Sequence, residues 1–145
     1  MEVFFIFITL AGFIIGLGAV TVIDLHGFLG RKSSYWTEAT IRTHKITKPL
    51  IWIGILLVSI GHIFLAKFEI INAYQLEIRS LIIVLLIVNG IFLSFVVSPA
   101  LLAQEKEGRQ KELLPKILQN KITASFVVSF LGWWGLVYLF AIIFI

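Results

Sequence analysis

The sequence contains no cysteine among its 145 residues. This absence excludes disulfide bonds, thiolate metal sites and a nucleophilic thiol. Any metal site must therefore be built from histidine, carboxylate or asparagine side chains.

Charged residues are also scarce, at 14% of the chain, whereas about a quarter is usual in soluble domains. Hydrophobic residues make up 59% of the sequence, and the mean hydropathy is +1.03. They are gathered into uninterrupted runs long enough to cross a bilayer. The composition therefore predicts one transmembrane domain over residues 1–145 and argues against a soluble enzyme.

Four apolar runs predict an all-α integral membrane bundle. Each is close to the roughly 20 residues that a helix needs to cross ~30 Å of hydrocarbon. Lipid offers no hydrogen-bond partners to the backbone, and runs of this length are too long for barrel strands. The first run follows Glu2 without a basic segment or a cleavage site, so we keep it as a span. The predicted spans are about 3–23, 49–66, 81–103 and 122–145.

Lysine and arginine cluster after the first and third runs. By the positive-inside rule, these two basic segments are expected in the cytoplasm, which leaves both termini outside. The net charge of +4 then reflects topology and lipid headgroup contacts, so the expected partner is the bilayer and not nucleic acid. The basic residues are Arg31, Lys32, Arg42, Lys45 and Lys48, followed by Lys106, Arg109, Lys111, Lys116 and Lys121.

The first basic segment predicts a short cytoplasmic interfacial helix over about residues 34–46. Gly27 and Gly30 are expected to end the first helix, and Pro49 suits the first turn of the second span. Trp36 and the neighbouring cations favour the headgroup level for the short helix. A simple tethered connector is the alternative.

The second basic segment, residues 104–121, is the most polar part of the chain. Its charges are of both signs, which favours a solvated helical extension over a nucleic-acid site. Pro115 is expected to begin a new helix that continues into the fourth span.

Small residues and one carboxylate stand out in the first span. Gly12 and Gly16 form a small-xxx-small pair, which predicts a packing face inside the bundle or, alternatively, a homodimer seam. Asp24 follows at the expected cytoplasmic end of the span. A carboxylate at the membrane edge is costly without a cation or water, so we expect an ion pair with Arg42, Lys45 or Lys48. Proton handling is the alternative role.

The three histidines are the candidate cofactor ligands, with haem b as the alternative to no cofactor. His44 and His62 are 18 residues apart, which corresponds to ~27 Å on a continuous helix and is too far for one iron. His62 alone falls within a predicted span, where a hydrogen bond to a neighbour such as Ser59 is the simpler interpretation. His26 and His44 are expected as loop residues that are either solvated or bound to a haem or metal.

The third and fourth spans carry further polar and aromatic groups. Asn89 lies in the middle of its span and must find an interhelical partner, so it predicts either packing or a polar pocket that it shares with Asp24. Pro99 should kink the helix near its end. Trp133 and Trp134 point about 100° apart, so at most one can face a given pocket.

The order of these features resembles the small four-helix bacterial inner-membrane proteins that include the HemJ-type protoporphyrinogen oxidases. The similarity covers most of the chain as architecture and is most specific over residues 89–101, Asn-Gly-Ile-Phe-Leu through Ser-Pro-Ala-Leu. Enzymatic members have a histidine in the first span and a lysine early in the third. This chain has no histidine in its first predicted span and has Arg79 in the region of the lysine. The resemblance therefore implies the fold, and no catalytic residue is carried over.

Three functions follow from these observations. The first is a non-enzymatic multi-pass membrane protein whose buried polar residues assemble the bundle. The second is a b-type haem or porphyrin protein that uses His62, His26 or His44. The third is a small transporter or channel, although the spans hold fewer ionisable residues than ion paths usually need and show no inverted repeat.

Overall fold

The structure, a computed structural model, describes residues 1–144 and is helical over most of that length. A π-helical turn, Leu93–Val97, joins the third and fourth helices, and a 3-10 turn, Ile142–Phe144, follows the fifth. The prediction of an all-helical chain is confirmed. The α-helices are α1 (Glu2–Leu29), α2 (Ser34–Lys67), α3 (Ala73–Phe92), α4 (Ser98–Lys106) and α5 (Lys116–Ala141).

Four helical stretches in the described chain are long and apolar enough to span a membrane. The first three predicted spans lie inside the first three stretches. The fourth predicted span ended at Ile145, which lies outside the described residues. The fold is thus compatible with a multi-pass membrane protein. The four stretches are Glu2–Leu29, Ser34–Lys67, Ala73–Lys106 and Lys116–Ala141.

The separate interfacial helix predicted over 34–46 is wrong, because α2 is one continuous helix of 34 residues with Pro49 inside it. Proline removes one backbone hydrogen bond, but helices in bundles tolerate this loss where neighbouring helices pack closely. Here α1 contacts α2 on both sides of Pro49. The Thr37 hydroxyl donates to the Gly30 carbonyl at 2.9 Å, and Gly54 packs directly on Gly16.

The first helix ends later than predicted. Gly27 lies inside α1, which continues to Leu29 and is capped by Gly30. A Cβ atom at Gly27 would meet only the Ile122 side chain at 3.1 Å, so the residue marks a close contact with α5 and not a chain break. Glycine in a helix interior costs only about 1 kcal/mol relative to alanine, which packing can offset.

Gly12 and Gly16 are buried within the chain. A Cβ atom at Gly12 would lie 2.8 Å from the Val58 backbone nitrogen, and one at Gly16 would overlap the Trp133 ring. The glycine pair therefore packs against α2 and α5. A homodimer stays a prediction, and it would need another face of the bundle.

The third span changes its helical geometry just before Pro99. Proline has no N–H with which to bond the carbonyl four residues earlier, so the ordinary ladder cannot continue there. The chain responds with the π-helical turn, in which the Ser98 N–H donates to the Leu93 carbonyl five residues before it. The irregularity expected at Pro99 is thus a π turn that starts at Leu93, upstream of the proline.

The second basic segment is not a continuous helical extension. The α4 helix ends at Lys106 because Gly108 adopts a left-handed conformation with φ +70°, and the Arg109 N–H closes the turn on the Gln104 carbonyl. The Gln104 amide then donates to the Arg109 and Glu112 carbonyls at 2.9 and 2.8 Å. The hydrogen bonds that the Arg109 guanidinium donates to Glu107 and then to Glu112 raise the pKa of Arg109. Pro115 caps α5, as predicted.

The core has a tightly packed centre. Trp133 is 1% exposed there, whereas the adjacent Trp134 is 49% exposed, as their angular separation predicts. The six side chains at this level leave no water-sized cavity between them. A second apolar cluster joins Ile41, Val97, Leu101 and Leu114 near the basic segments. The central side chains are Ile55, Val58, Ile83, Leu86, Trp133 and Leu136.

Candidate functional site: a cavity beside Asp24

A cavity of about 80 Å³ lies where α1, α2, the π turn, α4 and α5 meet. It is at the end of the bundle formed by the 30–33 and 107–115 connections, which we call the basic end; the opposite end, at the 68–72 connection, is the far end. One water needs about 10–15 Å³ measured in this way, so the cavity has room for several waters or a small organic group. Its walls are mainly apolar. The polar residues that line it are Asp24, Thr40, His44, Thr47, Lys48, Ser94 and Ser98.

Asp24 has an unsatisfied carboxylate at this cavity. Its Oδ2 atom is buried and has no hydrogen-bond partner in the described chain. The expected ion pair is not formed, because Arg42 pairs with Glu38 and Lys45 with Glu105. Lys48 lines the same cavity but makes no ion pair with Asp24 within the described residues. A buried polar atom without a partner costs about 1–3 kcal/mol, and more if it is charged.

His44 is held in one orientation between α2 and α4. Its Nδ1 donates to the Ile41 carbonyl at 2.6 Å, because a carbonyl can only accept. The neutral ring then has its lone pair on Nε2, which accepts from the Ser98 hydroxyl at 3.3 Å. The prediction that His44 is an exposed loop residue is wrong, since the continuous α2 helix carries it into the interior, where it is 7% exposed.

Trp52 also lines the cavity, a position that is not predicted from the sequence. Its indole Nε1 donates to the Ser94 hydroxyl, in the π turn, at 3.2 Å. Gly90 permits this approach, because a Cβ atom there would lie 3.2 Å from the indole ring. A tryptophan in the middle of a helix instead of at its end is a signal for such a contact, since a buried indole N–H usually finds a partner.

Asn89 does not share the cavity with Asp24. Its amide donates to the Ser129 hydroxyl at 2.9 Å and to the Ser125 carbonyl at 3.3 Å. The Ser125 hydroxyl donates in return to the Asn89 carbonyl oxygen at 2.8 Å. Both ends of the amide are therefore used between α3 and α5. Of the two residues expected in a polar pocket, only Asp24 lines the cavity.

The three histidines do not converge. His26 lies in the last turn of α1 and contacts the Thr43 hydroxyl at 3.2 Å, so it too is a helical residue. His62 bonds the Ser80 hydroxyl at 2.9 Å, and among the three only His44 lines the cavity. Within residues 1–144, no group of three metal-binding side chains was found. A cavity of about 80 Å³ is far smaller than a porphyrin, so its residues do not fit haem.

Comparisons of the chain with protein-family models, with curated proteins and with solved structures found no match. The resemblance to HemJ-type proteins therefore stays a prediction. The cavity and its polar residues supply the chemistry from which a function can be inferred.

Proposed function

We propose that the protein is a multi-pass inner-membrane protein that binds a small molecule in the Asp24 cavity. The ligand has a compact apolar body and a protonated amine. The observation that carries this proposal is the buried Asp24 Oδ2 atom, which has no partner in the described chain.

The other polar groups around the cavity support an ammonium group as the missing partner, because most of them are already engaged. The Thr40 and Thr47 hydroxyls donate to carbonyls of their own helix at 2.8 and 3.1 Å. His44 and Ser98 bond each other, and so do Trp52 and Ser94. A carboxylate oxygen can only accept hydrogen bonds, and a positively charged donor gives the strongest ones.

The apolar walls determine the rest of the ligand. Ile51, Leu93, Val97 and Leu101 line the cavity along with the Trp52 ring. Burial of apolar surface contributes about 25 cal/mol per Å². The volume of about 80 Å³ limits the ligand to a few carbon atoms in this conformation. A short branched or linear alkylamine has both required properties.

Binding is favoured over catalysis by the backbone around the cavity. Ser98 and His44 have the connectivity of a nucleophile and its base. Acyl transfer also needs free backbone or side-chain donors for the developing oxyanion. The segments that line the cavity are helical, so their N–H groups are used within the helices. The Ser98–His44 pair is therefore assigned to positioning α4 against α2.

Binding is also favoured over passage through the bundle. The central layer around Trp133 and Leu136 leaves no water-sized cavity. Asp24 lies at the basic end. Along α2, His62 follows the residues that belong to the central layer, so it lies toward the far end. Ion paths need a chain of ionisable groups, and the described centre of the bundle supplies none. With the basic end in the cytoplasm, the ligand is a cytoplasmic amine.

The test compares n-butylamine with n-butanol on detergent-purified protein. Both probes enter detergent micelles, so the informative quantity is the difference between wild type and Asp24→Asn. We expect butylamine to raise the unfolding temperature of wild type and not of Asp24→Asn, and butanol to affect both proteins equally. Glu38→Gln is the matched control, because its carboxylate is already paired with Arg42 and does not line the cavity. An equal response of wild type and Asp24→Asn to butylamine refutes the proposal.

A further inference from the structure

A second set of unpartnered polar atoms lies toward the far end, away from the Asp24 cavity. The Arg79 side chain, on the second turn of α3, is 0% exposed. Its three guanidinium nitrogens, Nε, Nη1 and Nη2, are all buried and have no hydrogen-bond partner in the described chain. An isolated buried cation costs several kcal/mol, so buried charges in proteins are normally paired.

His62 on α2 adds a further unsatisfied nitrogen. Its Nε2 bonds the hydroxyl of Ser80, the residue next to Arg79, at 2.9 Å. Its Nδ1 is buried and lacks a partner within residues 1–144. When Ser80 donates to Nε2, the hydrogen of the neutral ring is on Nδ1, which then becomes a donor. In that tautomer, the guanidinium and the imidazole both offer donors without an acceptor.

No described carboxylate compensates this charge. The acidic residues at the far end, Glu2, Glu69 and Glu77, are exposed and form no ion pair in the described chain. The one described contact of the guanidinium with a charged or aromatic group is the Phe140 ring, 5.7 Å from the Arg79 Cζ atom. A cation–π contact is worth about 0.5–2 kcal/mol, which is less than the cost of desolvating the charge.

We propose that Arg79 and His62 form a binding site for a small anionic group, either a phosphate or a carboxylate. A guanidinium recognises both groups through two parallel hydrogen bonds, and the His62 Nδ1–H supplies a third donor. The anion can belong to a soluble molecule or to a lipid headgroup. This site is independent of the ligand proposed for Asp24.

Access is expected through the connection between α2 and α3. Arg79 is six residues from the first residue of α3, which corresponds to ~9 Å along the helix. The connection over residues 68–72 contains Glu69 in a left-handed conformation with φ +56°. A non-glycine residue pays about 1–2 kcal/mol for this conformation, so it is the least regular backbone near the site.

The experiment measures thermal unfolding in dodecyl maltoside, a detergent without phosphate. Sodium phosphate and sodium acetate are compared with sodium chloride at equal ionic strength. We expect phosphate or acetate to raise the unfolding temperature of wild type by several degrees, and Arg79→Gln to lose the shift. Lys67→Gln is the matched control, since Lys67 is an exposed cation at the same end, and it should keep the shift.

Two further proteins keep the test decisive if Arg79→Gln does not fold. Arg79→Lys retains the charge but cannot form a bidentate pair of hydrogen bonds, so it should bind phosphate about tenfold more weakly. His62→Gln keeps an amide donor and should retain part of the shift. The proposal is overturned if phosphate shifts wild type and Arg79→Lys equally.

Nanodiscs distinguish the two sources of the anion. If a lipid headgroup fills the site, wild type in phosphatidylglycerol nanodiscs is more stable than in maltoside, and added phosphate has no further effect. If a soluble anion fills it, added phosphate stabilises the protein in nanodiscs as well. Absence of any effect of phosphate, acetate and phosphatidylglycerol overturns the proposal.

Discussion

A Cβ atom at Gly54 of α2 would overlap the Cα atom of Gly16 on α1. The nearest atoms that it would meet all belong to the α1 backbone, so no flexible side chain can move aside. The substitution Gly54→Ala must therefore push the two helices apart. Overpacking of this kind typically costs about 1–3 kcal/mol. We expect Gly54→Ala to lower the unfolding temperature of the detergent-purified protein.

Gly18→Ala is the control for this change. Gly18 is on the same helix as Gly16, but a Cβ atom there would have no neighbour within 4 Å. Alanine is favoured over glycine in a helix by about 1 kcal/mol, so Gly18→Ala should leave stability unchanged or slightly increased. Equal stabilities of Gly54→Ala and Gly18→Ala would contradict the packing described for α1 and α2.

The helices were predictable from hydropathy alone because apolar runs of this length have few other structures available. Their ends were less predictable. The chain around Pro49 was assigned to two helices, since proline commonly begins a helix. The structure keeps one helix because α1 packs along α2 from Gly30 to Gly16. Such packing is a property of the pair of helices and is absent from the sequence of either one.

The cavity was only partly predictable for a related reason. Asp24 is conspicuous because it is a carboxylate beside an apolar run. Lys48 is predicted beside Asp24 as one of three cations expected to pair with it. Trp52 is marked only by its position in the middle of a helix, because helices that are apolar on every side lack the periodicity that marks an inward face. His44 is predicted as an exposed residue of the first basic segment, because the predicted break at Pro49 separates it from the second span. Arg79 is predicted as a basic residue between the second and third runs, and its burial depends on how α3 packs.

The hydrogen bonds of Asn89 predict a measurable coupling between α3 and α5. Asn89→Leu removes the amide and leaves Ser125 and Ser129 without their partner. Interhelical hydrogen bonds in membrane bundles contribute about 0.6–2 kcal/mol, and we expect a loss of this size. The measurement is unfolding in dodecyl sulfate of wild type, Asn89→Leu, Ser129→Ala and the double variant.

The double variant should lose less stability than the sum of the losses in the two single variants, because each single change breaks the same hydrogen bond. Ser59→Ala is the control, since that hydroxyl donates at 2.7 Å to Ile55 of its own helix. Full additivity of Asn89→Leu and Ser129→Ala would be evidence against the bond.

The ion pair between Lys45 and Glu105 ties α4 to α2 at the basic end. The Lys45 Nζ atom lies 2.7 Å from the Glu105 Oε2 atom. The Lys45 side chain is 47% exposed and the Glu105 side chain is 31% exposed. A pair this exposed contributes about 0.2–1 kcal/mol and is screened by salt. We expect Lys45→Gln and Glu105→Gln to destabilise the protein to similar extents at low ionic strength. The differences should disappear in 1 M salt, as measured by thermal unfolding.

A charge reversal is the stricter form of this test. Lys45→Glu alone places two carboxylates together and should be the least stable variant. Adding Glu105→Lys should recover most of the loss. The pair Arg42 and Glu38 lies within α2, so reversing it should have no effect on α4. If adding Glu105→Lys does not restore stability, Lys45 and Glu105 do not pair in solution.

Labelling of introduced cysteines can test the orientation predicted by the positive-inside rule. The chain has no cysteine of its own, so there is no background labelling. Lys67→Cys places a thiol at the far end of α2, and Glu107→Cys places one in the connection after α4, where both native side chains are exposed. An impermeant maleimide should label Lys67→Cys in intact spheroplasts and Glu107→Cys only after lysis. Both variants should be labelled in detergent. The cysteine-free wild type should not be labelled under any of these conditions. The opposite pattern would invert the orientation and place the Asp24 cavity on the outer side of the membrane, so that its amine ligand would be extracellular or periplasmic.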